Sequence, residues 1–202
     1  MAERRAAAPD RASLVEAGVQ VPGAAQMREL GTRIAGLLSR GDLVVLAGPL
    51  GAGKTTLVQG IGAGLGVRGP VTSPTFVIAR IHPSLRGGPD LVHADAYRLG
   101  SRLEVDDLDL DADLDHCVTV VEWGEGLVED LASGHLLITI GWPGGQRPAV
   151  SGGDGAGGDG AGGGALTGEG LGDEPRLVTL RGYGSRWQAA ADQLRAVLTP
   201  LR

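Results

Sequence analysis

Between Asp42 and Leu65 the chain passes from a short apolar run, DLVVLA, through the glycine-rich loop GPLGAGKT and into a segment with helical spacing. The loop fits the pattern GxxxxGK[ST] at Gly48, Gly53, Lys54 and Thr55. Glycines allow the backbone to wrap so that successive N–H groups converge on phosphate oxygens, and a helix starting there adds the positive end of its dipole. Such a loop has to be fed by a buried strand and left by a helix. DLVVLA is the continuous apolar run of a strand covered on both faces of a parallel sheet. After it, Leu57, Val58, Ile61 and Leu65 share one helical face. Gly60, Gly62 and Gly64 each cost that helix about 1 kcal/mol relative to alanine, so packing on the sheet is expected to rescue it. Lys54 is the only lysine in the chain. It can reach β- and γ-phosphates, while the Thr55 hydroxyl can complete a magnesium shell. The expected ATP-binding segment is therefore Gly48, Pro49, Leu50, Gly51, Ala52, Gly53, Lys54, Thr55 and Thr56. Guanine-specific members of this class use an [NT]KxD motif, for which no second lysine exists, so ATP is favoured over GTP.

A magnesium nucleotide site also calls for an acid at the end of a neighbouring strand. VTVVE, ending at Glu122, supplies one, and LVHAD, ending at Asp95, supplies another. The strand-end position alone leaves open which of the two holds the metal or its waters and which orients an attacking water. The tract from Asp106 to His116 alternates aspartates like a calcium loop, but puts His116 where the sharp turn needs glycine, and reads as a solvated acidic connection. His82, His93, His116 and His135 lack metal-ligand spacing and read as loop or core histidines.

Elsewhere, the spacing of Met27, Leu30, Ile34, Leu37 and Leu38 predicts a helix over Ala24 to Arg40. Strands are expected at Phe76 to Ile81, Leu91 to Ala94, Val118 to Glu122, Leu136 to Ile140 and Arg176 to Arg181, and helices at Gly124 to Ala132 and Ser185 to Leu198. The alternation implies an α/β, P-loop NTPase-like three-layer fold with a mostly parallel central sheet and late antiparallel strands. Residues 1–22 are expected to be a flexible leader, and residues 23–200 a single domain. That domain is interrupted at about 143–174 by a glycine-rich insert with little apolar area to offset the entropy of ordering, hence expected to be disordered. The net charge of −6 argues against autonomous nucleic-acid binding, so any RNA is expected to be held by a partner. One cysteine, no signal-peptide pattern and no apolar run of ~18 residues suit a soluble cytoplasmic protein.

Four stretches, GDLVVLAGPLGAGKTTL, SPTF (Ser73 to Phe76), HADAYRL (His93 to Leu99) and VEWGE (Val121 to Glu125), together resemble the TsaE family, small bacterial P-loop ATPases of tRNA threonylcarbamoyladenosine biosynthesis. The resemblance covers roughly Ala24 to Trp142 and, more weakly, Arg176 onward. It implies that Ser73, Pro74, Thr75 and Phe76 form a switch sensing the γ-phosphate, that Asp95 is an acid near that phosphate, and that Glu122 holds magnesium together with Thr55. On the same basis Lys54, Asp95 and Glu122 are the catalytic set and Trp123 lies near the nucleotide. It further implies weak ATP hydrolysis by the chain alone and joint action with TsaB and TsaD, which modify the tRNA. Two departures stand out: Pro49 replaces a usual acidic residue, and the glycine-rich insert is unusual for the family. A small-molecule kinase with Arg86 on a short lid is the alternative enzyme, and a nucleotide-sensing scaffold the non-enzymatic one.

Overall fold

The computed structural model describes residues 15–74, 79–97, 114–145 and 174–199. Seven strands form one sheet: β1 (Val15–Val21), β2 (Leu43–Ala47), β3 (Ala79–His82), β4 (Asp90–Asp95), β5 (Cys117–Glu122), β6 (His135–Gly141) and β7 (Arg176–Tyr183). Their order is β1-β7-β6-β2-β5-β4-β3. β6, β2, β5 and β4 run parallel, while β3 at one edge and β7 and β1 at the other are antiparallel to their neighbours. The centre reads as the sequence does: all five residues of β2 and all six of β5 are buried.

Alternation along these strands separates two apolar clusters. One face presents Val44, Leu46, Val118, Val120, Leu136 and Ile138 to the helices α1 (Ala24–Ala35), α2 (Lys54–Leu65), α3 (Ser185–Ala189) and α4 (Ala191–Val197). The other presents Leu43, Val45, Val92, Ala94 and Val121 to Val128 and the partly buried Leu127 and Leu131. Burial of these aliphatic side chains, worth about 1.5–3 kcal/mol each, is the main force holding the layers together.

Three expectations need correction. Val15 to Val21, placed in a flexible leader, pairs with β7 along its whole length, from Val15 with Gly182 to Val21 with Arg176. Its backbone hydrogen bonds supply order that VEAGVQV, with buried side chains only at Val15 and Val21, does not signal. Residues 1–14 lie outside the described residues. Gly124 to Ala132 forms turns and one 3-10 turn, Glu129–Leu131, instead of a helix. Gly126 sits at φ +82 and its N–H donates to Glu129 Oε1 at 2.6 Å, a local bond that competes with helix continuation. The carboxy-terminal helix is broken at Ala190, although Trp187 and Leu194 are buried on the expected stripe. The late strands flank the insert as expected, and of the insert, expected at about 143–174, residues 146–173 fall outside the described residues.

Candidate functional site

In the parallel core Leu46 is in register with both Glu122 of β5 and Ile138 of β6, and Asp95 of β4 is in register with Glu122. The chain leaves β2 into the glycine loop at this same edge. Loop and strand-end acids are thereby gathered where ligands bind in open α/β sheets, outside the carboxyl ends of the strands. Gly48 has φ +142, and a Cβ there would collide with the Ile140 carbonyl oxygen, so the loop starts in close backbone contact with β6. Gly53 caps α2 with φ +107. Lys54, Thr55 and Thr56 then form the first helical turn, whose N–H groups have no intrahelical acceptor.

Lys54 is buried, with only 5% of its surface exposed. Its Nζ donates to the carbonyl oxygens of Gly48 at 2.8 Å and Pro49 at 3.1 Å, and lies 3.7 Å from the centroid of the Trp123 ring. Desolvation pushes this ammonium below its ordinary value, opposed by the charges of Glu122 and Asp95. Trp123 holds a left-handed backbone, φ +60, fixed by its N–H donating to the Leu46 carbonyl at 2.9 Å. Backbone strain of this kind costs on the order of 1–3 kcal/mol and concentrates at functional sites. The exposed Tyr97 ring packs at 5.2 Å from the Trp123 ring.

Glu122 is buried and its Oε1 receives the Thr55 hydroxyl at 2.9 Å, joining the first turn of α2 to the end of β5. The same oxygen lies 2.9 Å from His93 Nε2. Asp95, also buried, accepts the Tyr97 N–H at 2.9 Å through Oδ1. The structure thus brings Lys54, Thr55, Asp95, Glu122 and Trp123 to one edge. Pro49 contributes its carbonyl, accepting from both Lys54 and the Ala52 N–H. Leu50 is 76% exposed at the loop tip. Of the expected switch, Ser73 is exposed and Pro74 buried, while Thr75 and Phe76 lie outside the described residues, as does most of the aspartate tract. Arg86, the candidate lid arginine, sits between β3 and β4, at the end of the sheet where the parallel strands begin, opposite the glycine loop. There its side chain packs against Gly66, and the Leu85 N–H donates to the Gly66 carbonyl, as a turn between strands.

The profile of the family described as "Threonylcarbamoyl adenosine biosynthesis protein TsaE" matches residues 21–147. The chain belongs to the TsaE family. It is 55% identical over 165 residues to a TsaE of Streptomyces coelicolor, covering 81% of this chain and 95% of that protein. A TsaE of Mycobacterium tuberculosis is 50% identical over 138 residues, 64% of this chain and 82% of the relative. The crystal structure of YdiB from a Bacillus superposes with a TM-score of 0.62 at 24% identity, covering 91% of this chain and 96% of that one, and so shares the fold.

The profile match, residues 21–147, spans every site residue named above. His93, which reads in the sequence as a loop or core histidine, meets the site through Glu122. Only part of the signal lies in the sequence: on a strand, His93 and Asp95 point to the same face, whereas their register with Val120 and Glu122 across β4 and β5 belongs to the fold.

Proposed function

We propose that this TsaE-family chain binds Mg-ATP at the glycine loop, hydrolyses it weakly by itself, and acts with TsaB and TsaD in forming threonylcarbamoyladenosine in tRNA. The tRNA is reached only through those partners, in keeping with a net charge of −6. The observation that carries this reading is the 2.9 Å hydrogen bond between Thr55 and Glu122 beneath the loop. It places two hard oxygen donors side by side at a helix N-terminus, the chemistry that a magnesium ion with phosphates requires.

Thr55 and Glu122 would hold the ion, and among the described residues Glu122 Oε2 has no hydrogen-bond partner, so an oxygen remains for a metal or its water. When bound, the ion would neutralise charge on the phosphates. Lys54 would exchange the Gly48 and Pro49 carbonyls for phosphate oxygens, and its partly desolvated ammonium would gain most from an anion. Asp95 would orient the attacking water, Trp123 would border the nucleotide, and Ser73 to Phe76 would respond to the γ-phosphate. Because Arg86 is remote from the loop, the kinase alternative loses its lid. A part in tRNA modification favours the cytoplasm as the chain's location; separately, no helix among the described residues is long and apolar enough to span a membrane.

Mg-ATP hydrolysis measured with the chain alone and with TsaB and TsaD tests this. A slow basal rate that rises severalfold in the mixture is expected. An unchanged rate together with no complex on gel filtration would refute it.

A further inference from the structure

His93 is fully buried on β4. One ring nitrogen, Nε2, faces Glu122 Oε1 at 2.9 Å, and the other, Nδ1, has no hydrogen-bond partner among the described residues. That asymmetry fixes the direction of the bond. A hydrogen on Nδ1 would be a buried orphan donor, costing about 1–3 kcal/mol, and would leave a bare Nε2 facing a carboxylate oxygen that can only accept. The proton therefore belongs on Nε2, and His93 donates to the carboxylate. Oε1 of Glu122 then accepts two hydrogen bonds, from His93 and from Thr55, and Oε2 accepts none from the described residues.

We infer that His93 is a positioning residue: by clamping Oε1 from β4 it fixes the rotation of the Glu122 carboxylate and leaves Oε2 as the oxygen that meets magnesium. A side chain held by Thr55 alone could rotate about its terminal torsion, which is broad and roughly two-fold for a glutamate. Two donors on one oxygen remove that freedom. Buried hydrogen-bond partners behind a metal ligand set its orientation, and losing one typically lowers metal affinity about 10–100-fold. This inference rests on the Mg-ATP reading above.

Calorimetric titration of a non-hydrolysable ATP analogue, with Mg2+ and with EDTA, separates the two. Wild type should bind more tightly with Mg2+. His93→Leu should lose about tenfold or more of that Mg2+-dependent tightening while its EDTA affinity stays within about twofold of wild type. His93→Gln, which keeps an N–H at the Nε2 position, should recover most of it. If His93→Leu does not fold, His93→Asn, whose amide stops short of Glu122, carries the same expectation. Should wild type respond to Mg2+ and His93→Leu respond equally, the inference falls while the Mg-ATP reading stands. Equal loss in His93→Gln and His93→Leu would also overturn it, since packing would then be the cause. A wild type indifferent to Mg2+ overturns both.

Discussion

The chain's only lysine is buried at the head of a helix, held by two loop carbonyls and an indole face. Hydrogen bonds from a charged group contribute about 1.5–3 kcal/mol each, but the cost of burying the ammonium offsets part of that, and the freed carbonyls sit in a loop that water can reach. Lys54→Ala should therefore fold, with Tm lowered by no more than several degrees, yet lose at least tenfold in ATP affinity. Calorimetry giving wild-type affinity would contradict this. His82 offers a second test at this scale. It is buried, its Nε2 has no partner among the described residues, and desolvation holds its pKa below the ordinary 6.5 against a raising hydrogen bond to the Arg68 backbone. Below pH 6.5 the unfolded chain then takes up a proton that the folded chain refuses, so stability falls as pH drops from about 6.5 through the lower folded value. Thermal melts between pH 7.5 and 5.5 should show wild type losing more stability than His82→Leu; equal slopes would exclude His82 as the cause.

Helix α2 shows how far elements could be read from residues. Its glycines signal a weak helix, and the expected remedy is the sheet. In the structure Gly60 and Gly64 lie against α1: a Cβ on Gly60 would strike the Arg28 carbonyl, and one on Gly31 of α1 would strike the Leu57 carbonyl. Thr32 Oγ1 crosses this contact to the Gly60 carbonyl at 3.2 Å. Alanine would gain about 1 kcal/mol of helix propensity, but overpacking costs about 1–3 kcal/mol, and here it meets backbone that no rotamer change can move. Gly60→Ala should lower Tm by several degrees, and a higher Tm would show that the helices can part without cost. The same contrast explains which elements were legible. β2, β5 and β6 announce themselves because both faces are buried and the apolar run is continuous. β1 is held at an edge by pairing that leaves little trace in side-chain pattern, and residues 124–132 have apolar spacing that Gly126 overrides. At the site, Lys54, Thr55 and Glu122 are marked by motif and strand end, but the His93 contact depends on strand register, which no single segment records.

At the scale of the molecule, the loop, the acids and the exit from β6 share one edge of the sheet, so the long connection to β7 begins beside the site. Its strands do not need that length. Gly141 of β6 is already paired with Leu177 of β7, and the two strands stay in register down to His135 with Tyr183, as in a hairpin with a short turn. Closing a long loop costs only about 0.6 kcal/mol more per doubling, so replacing residues 146–173, rich in Gly, Ala and Asp, with a few Gly and Ser residues removes about 2 kcal/mol of closure entropy at most. The contact between Gly48 and the Ile140 carbonyl belongs to the strand and survives the change. The shortened chain should fold, melt at the wild-type temperature or a few degrees above it, and bind ATP within about twofold of wild type. A Tm lowered by more than about 5 °C would mean that the segment contributes packing its composition does not suggest, because a loss of that size in a domain this large corresponds to more than about 1 kcal/mol.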